Sequence, residues 1–353
     1  MLEREASMQV DKRIMRSVAF LGIQAGDTFI AQGTGFFLRV TEEYETFSYI
    51  VTCRHVVDPF FVVAGKETPN DEPIWIRVNR TNREPKTYQT RRSDWVCHPK
   101  SKRSIDICVH EIPLRQWESQ DDAEIGWINA DKDFFTPDKE RKNGALSLGD
   151  PLFIPALFTN RPGEKRNIPI FRTASVAALA EEPVPHGSPY RPAFLVETKS
   201  LGGTSGAPVF VHLAEIGRHI DDGEHDWSYV WTNQETGEVE PPYYLIGMMQ
   251  GSHGGRYYHD IPPEVAPKDA DFNAGIATVL PYPLIMEVIN NPILKERRMA
   301  AIEESKKRSG YRPASASAAK QKPPTTAGDS QHKERFNQLL NAAVKSPKSG
   351  GQT

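Results

Sequence analysis

Up to residue 282 the apolar positions come in short runs rather than at helical spacing. Runs rich in β-branched and aromatic residues fall at 16–24, 28–40, 47–55, 73–78, 105–112, 151–158, 169–177, 194–198, 208–213, 243–250 and 275–280, separated by turns rich in Gly, Asp and Glu. Many short strands with long polar connections predict an antiparallel barrel or sandwich. Parallel βαβ architecture is disfavoured because crossover helices are missing. The first helical period appears at 283–308, where Pro283 stands at a start position and Leu284, Ile285, Val288 and Ile289 form a stripe that would pack on the body. Residues 309–331, rich in Ser, Ala, Lys and Pro, read as a disordered linker. Within the tail, residues 332–344 place Phe336, Leu339, Leu340, Ala343 and Val344 at helical spacing. This short amphipathic helix would either dock on the body or fold on a partner protein.

Composition changes this picture in two places. Charge is divided: from Lys295 onward there are 13 Lys and Arg against 5 Asp and Glu, so a basic tail follows an acidic body whose net charge is −11. A solvated extension, a tail folded back on the body and a tail reaching an acidic partner all fit that asymmetry. An acidic body opposes nucleic-acid binding. The three cysteines, Cys53, Cys97 and Cys108, are odd in number, and two lie in apolar strand-like runs, so no disulfide framework is expected. No apolar run is long enough to span a membrane, and the start, Met1 to Ala6, lacks the features of a secretory signal. A cytoplasmic location with no membrane partner is therefore expected. His212, His219, His225, His253 and His259 share one region without metal-ligand spacing, and no phosphate loop or dinucleotide fingerprint is present. No cofactor and no metal are expected.

Candidate chemistry lies in three short motifs, in the order His, Asp, Ser. Serine hydroxyl needs an adjacent base to act as a nucleophile, and neutral imidazole suits that task. His55 closes the run 47–55, where it is either such a base or a structural histidine at a strand end. Asp106 interrupts the apolar run 105–109, where a carboxylate is costly without a partner. An imidazole Nδ1 proton would satisfy it, and a turn aspartate is the alternative. Around Ser205, Gly202, Gly203, Gly206 and Ala207 permit a tight turn in which the amides of Gly203 and Ser205 converge as an oxyanion hole. A Gly-rich hairpin explains the glycines equally well, but not the other two motifs in order.

These motifs resemble those of the trypsin-like (chymotrypsin-fold) serine peptidases, specifically the intracellular bacterial type without disulfides. The matching residues are Gly33-Thr34-Gly35-Phe36-Phe37, Val51-Thr52-Cys53-Arg54-His55-Val56-Val57, Ser104-Ile105-Asp106-Ile107-Cys108-Val109 and Gly203-Thr204-Ser205-Gly206-Ala207-Pro208. The resemblance covers about 15–289, with softer matches at 245–249 and 275–277. It implies two packed six-stranded antiparallel β-barrels, the first over about 15–125 and the second over about 145–282. Residues 1–14 would be an N-terminal extension, 283–308 a C-terminal helix and 309–353 a disordered basic tail. It further implies hydrolysis of a protein or peptide substrate through His55, Asp106 and Ser205, with Lys199, Ser200, Gln250, Gly251 and Ser252 lining a specificity pocket. The alternative is a catalytically silent fold that binds a peptide or protein.

Two departures have consequences. Secreted relatives pair a freed N-terminal amine with an aspartate just before the serine, whereas this chain has neutral Thr204. The site must then be competent without such cleavage, or be ordered by another contact. Lys199 at the pocket base would favour an acidic substrate side chain, whereas the acidic stretch 215–240 would favour basic partners, so the two cues conflict. An α/β-hydrolase is disfavoured because Pro208-Val209-Phe210-Val211 continues as strand where that fold needs a helix.

Overall fold

A computed structural model describes residues 12–58, 73–81, 83–100, 105–113, 115–135, 146–180, 183–184, 191–198, 202–212, 231–232, 239–240, 243–254 and 273–308. After a short helix, Lys12–Arg16, eight strands form the first sheet: β1 (Val18–Ala25), β2 (Thr28–Glu42), β3 (Glu45–Thr52), β4 (Ile74–Arg80), β5 (Arg83–Thr90), β6 (Trp95–Cys97), β7 (Cys108–Glu111) and β8 (Ile128–Asn129). Their order is β5-β4-β1-β2-β3-β7-β6, and β8 adds in parallel to β2. The second lobe holds β9 (Pro151–Ala156), β10 (Ile170–Ala178), β11 (Pro183–Val184), β12 (Arg191–Pro192), β13 (Phe194–Glu197), β14 (Pro208–His212), β15 (Trp231–Thr232), β16 (Val239–Glu240), β17 (Tyr243–Gly254) and β18 (Asn273–Pro281). Six of these close into a barrel, β10-β13-β18-β17-β14-β9, while β11-β12 and β15-β16 are separate ribbons.

The expectation of an antiparallel β protein holds, with one correction. Only the second lobe is a closed six-stranded barrel. Among the described residues the first sheet runs from β5 to β6 without a closing pair, and β8 branches from its middle. Most of the expected runs are strands. Polar β5, with the sequence REPKTYQT, was not expected, because it buries only Tyr88 and Thr90. Charged side chains suit an edge strand, where unpaired backbone must not recruit another chain.

Burial explains the two lobes. In the first, Phe36, Phe37, Tyr49, Ile50 and Val51 form a core that continues through Phe153 and Phe210 to Leu284 and Ile285. Leu152, Ile154, Val196, Val209, Val211, Ile246 and Val279 fill the barrel. Fully burying each such side chain contributes about 1.5 to 3 kcal/mol.

The expected single helix over 283–308 is two, Tyr282–Ile289 and Pro292–Arg308. Proline lacks the N–H that an uninterrupted helix needs and is suited to a first turn. Asn291 Oδ1 accepts the Ile293 N–H at 3.0 Å and caps the second helix. That helix is anchored by Arg298, which is buried. Its guanidinium donates to Glu42 Oε2 (2.5 Å), Ile289 O (2.7 Å), Tyr49 OH (3.3 Å) and Asn290 Oδ1 (3.3 Å).

The expectation of a disulfide-free chain is also corrected. Antiparallel register sets Cys97 of β6 directly opposite Cys108 of β7, with Cα atoms 4.0 Å apart, and the two form a disulfide. An odd cysteine count hides such a pair because Cys53 is the thiol left over, buried and outside the disulfide.

Candidate active site

His55 does not end a strand. β3 stops at Thr52, Cys53 is extended, and Arg54–Val57 makes one helical turn that carries the ring. Asp106 lies in the extended segment just before β7, between buried Ile105 and Ile107. Because β3 pairs with β7 up to Thr52↔Cys108, the residues just beyond this pair of ends are brought face to face. His55 Nδ1 lies 2.5 Å from Asp106 Oδ2, and the His55 backbone N–H donates to Oδ1 at 3.0 Å. Both carboxylate oxygens are thus engaged by one residue. Gln250 Nε2 on β17 donates to Oδ2 as well, at 3.4 Å.

The electrostatics follow from this geometry. Burial pushes the Asp106 carboxyl up, but the hydrogen bond and charge of the His55 ring, the His55 N–H and the Gln250 amide outweigh it, and the pKa falls below the ordinary aspartate value. Burial pushes His55 down, yet its hydrogen bond and attraction to Asp106 prevail and raise it above the ordinary histidine value. With Nδ1 facing a carboxylate, the neutral ring keeps its proton there and leaves the Nε2 lone pair free to act as a base.

Ser205 sits in the turn 202–206 that leads into β14, half-buried. Gly203 has φ +94°, a conformation that L side chains rarely adopt. At Gly206 a Cβ would stand 2.0 Å from Thr34 O, so only glycine lets the turn approach β2 this closely. The turn is tied down by Thr34 N–H to Ser205 O (2.9 Å) and Gly206 N–H to Met249 O (2.8 Å). A Cβ placed on Gly251 would lie 3.9 Å from Ser205 Oγ. The neighbouring residues Gln250 and Gly251 therefore face Asp106 and Ser205 respectively, which sets carboxylate and hydroxyl along one short stretch of β17.

The pocket residues divide. Gln250 is buried and directs its amide to Asp106, a contact that spacing could not reveal across 144 residues. Gly251 is half-buried, and Ser252 belongs to β17. Lys199 and Ser200 lie outside the described residues, as do His219, His225, His259 and the tail segment 332–344.

Two neighbours escaped the sequence reading. Behind the histidine turn, buried Asp58 lies 3.7 Å from the Arg54 guanidinium and pairs also with Arg92, joining that turn to residues 92–94. Arg54 and Asp58 are four positions apart, but Arg92 is distant in sequence, so the three give no motif. Cys53 is the other neighbour. A thiol, an imidazole and a carboxylate oxygen of Cys53, His55 and Asp106 lie within 4.8 Å of one another, the one such group among the described residues that could hold a metal ion. The geometry commits each elsewhere: the Cys53 thiol donates to Met249 O at 3.3 Å, while His55 and Asp106 bond each other.

A family model described as a trypsin-like peptidase domain matches residues 33–215. No curated protein matches the sequence. Among solved structures the chain is similar to the apo MamO protease domain from Magnetospirillum magneticum, with a TM-score of 0.40 and 12% identity over 78% of this chain and 96% of that one. It is also similar to the Rv3671c protease from M. tuberculosis in its active form, with a TM-score of 0.39 and 12% identity over 79% and 81% of the two chains.

Proposed function

The chain belongs to the trypsin-like peptidase family, and from that membership we propose that it is a serine endopeptidase working through His55, Asp106 and Ser205. The observation that carries this reading is the engagement of both Asp106 oxygens by His55, with Nδ1 at 2.5 Å. A carboxylate held in this way fixes the imidazole tautomer and stabilises the imidazolium formed during reaction.

In the proposed reaction Ser205 Oγ attacks the scissile carbonyl while His55 Nε2 takes its proton. The amides of Gly203 and Ser205 stabilise the oxyanion of the tetrahedral intermediate. His55 then returns the proton to the leaving amine, the C–N bond breaks and an acyl-enzyme remains on Ser205. Water, deprotonated by the same ring, attacks the ester, the C–Oγ bond breaks as His55 returns the proton to Ser205 Oγ, and the acid is freed. The substrate is a protein or peptide, and the described residues supply every group named without a cofactor. Cytoplasmic residence stands as a proposal that the Cys97–Cys108 disulfide weighs against, since reducing compartments keep such thiols free.

Fluorophosphonate labelling tests for an activated nucleophile. The adduct is expected on Ser205 and is lost in both Ser205→Ala and His55→Ala. Well-folded protein that takes no label would instead support a cleft that only binds.

A further inference from the structure

The turn that bears Ser205 needs something to hold it, because its two proposed oxyanion donors are useful only if both N–H groups face the cleft. A trans peptide points its C=O and the next residue's N–H in opposite directions. Fixing a carbonyl in this turn therefore aims the following amide. Each carbonyl of residues 202–205 has a donor. Gly202 O accepts from Thr159 Oγ1 at 3.4 Å, Gly203 O from Thr34 Oγ1 at 2.7 Å, Thr204 O from Ala207 N at 3.0 Å and Ser205 O from Thr34 N at 2.9 Å. The carbonyls behind the Gly203 and Ser205 amides are thus those held by Thr159 and Ala207. Thr34 pins the peptide between them and the one after them.

Thr34 is fully buried and joins three segments. Its hydroxyl also accepts the Leu157 N–H at 2.9 Å, just past the end of β9, and its carbonyl accepts Thr52 Oγ1 of β3 at 2.7 Å. One hydroxyl oxygen thus satisfies both a donor and an acceptor of the second lobe from a position on β2. Without it, the buried Leu157 N–H and the half-buried Gly203 O lose a partner, and a peptide flip in the turn meets less resistance. Thr159 is exposed and its bond is long, so Thr34 carries most of the effect.

Resting on the proposed peptidase reading, we infer that Thr34, aided by Thr159, is a positioning residue that keeps the oxyanion-binding turn 202–206 in its donor-forward form. It acts on the Gly203–Thr204 peptide, which joins the two peptides that carry the Gly203 and Ser205 amides, and touches no reacting atom. The neutral Thr204 brings no charge to this turn, and the two threonine hydroxyls anchor it from outside.

The test uses the full chain and the acylating probe trans-cinnamoylimidazole. Thr34→Val removes the hydroxyl at nearly constant volume, Thr34→Ser keeps it, and Thr159→Val removes the weaker contact. In Thr34→Val, deacylation is expected to slow about 10- to 100-fold, less than the full loss of one oxyanion donor. The acyl carbonyl stretch should rise toward that of an ester without hydrogen bonds. The midpoint of the acid limb should stay where it is, because the His55–Asp106 pair is untouched. Thr34→Ser should behave as wild type, and Thr159→Val should shift a few-fold in the same direction. Wild-type deacylation and carbonyl frequency in Thr34→Val would overturn the inference, as would equal impairment of Thr34→Ser. If Thr34→Val does not fold, Thr34→Ala compared with Thr34→Ser isolates the same oxygen. If wild-type protein takes no acyl group, the peptidase reading fails, and hydrogen exchange over residues 202–206 judges the inference alone. Faster exchange confined to the hydroxyl-free variants supports it, and equal protection in all of them overturns it.

Discussion

Asp106 faces His55 Nδ1 at 2.5 Å and accepts from the His55 N–H at 3.0 Å and from the Gln250 amide at 3.4 Å. Exchanging its carboxylate for an amide keeps the shape but offers His55 Nδ1 an N–H in place of an acceptor, so the ring adopts the wrong tautomer. Asp106→Asn is expected to lower kcat by about 10⁴-fold with little loss of folding, measured by ester turnover beside a thermal melt. pH dependence follows from the same pair. The base must be neutral, so kcat/KM falls as pH drops through the His55 pKa, and that midpoint should lie above the ordinary histidine value of 6.5. In Asp106→Asn the midpoint should move down; an unchanged acid limb would show that another group is titrating. Stability has the matching signs. Because the folded His55 pKa is raised, its contribution is complete below the unfolded histidine pKa and is lost as pH rises through the folded one. Asp106, whose folded pKa is depressed, contributes above the unfolded aspartate pKa and loses that contribution as pH falls through the folded value.

At the scale of elements, the helix Pro292–Arg308 is fastened to β2 and β3 through Arg298, and β3 leads directly to the histidine turn. Replacing Arg298 by Met would strand the Ile289 carbonyl and the Glu42 carboxylate. A loss of about 3 kcal/mol is expected in denaturant unfolding, with part of it recovered by Lys, which supplies charge but not the fork of donors. A loss below about 1 kcal/mol would mean that the helix is held by its apolar contacts alone. Legibility in the sequence follows the same division. Strands such as β3 and β14 could be read because they bury nearly every residue, whereas β5 could not, since an edge strand carries its charges outward. His55, Asp106 and Ser205 could be singled out as candidates because their residue types imply chemistry, and for Ser205 because of the glycines around it. The Gln250–Asp106 and Thr34–Gly203 contacts could not, being made across 144 and 169 residues with no local pattern.

At the scale of the whole molecule, the site sits where the open first sheet meets the closed barrel. β2 and β3 supply Thr34 and lead to His55, while the residues around β14 and β17 supply Ser205 and Gln250. Every residue given a role in the proposed hydrolysis lies between Thr34 and Ser252. Deleting residues 310–353 is therefore expected to leave hydrolysis of a small ester unchanged while altering any recruitment of a partner by 332–344. Loss of ester turnover would make the tail part of the catalytic unit. The proposed function is that this cleft cuts peptide bonds. Its most direct test is incubation of wild-type and Ser205→Ala protein with denatured casein, reading new peptide N-termini by mass spectrometry. Cleavage by the wild type that vanishes in Ser205→Ala is the predicted result; equal cleavage by both, or none by well-folded wild type, would contradict it.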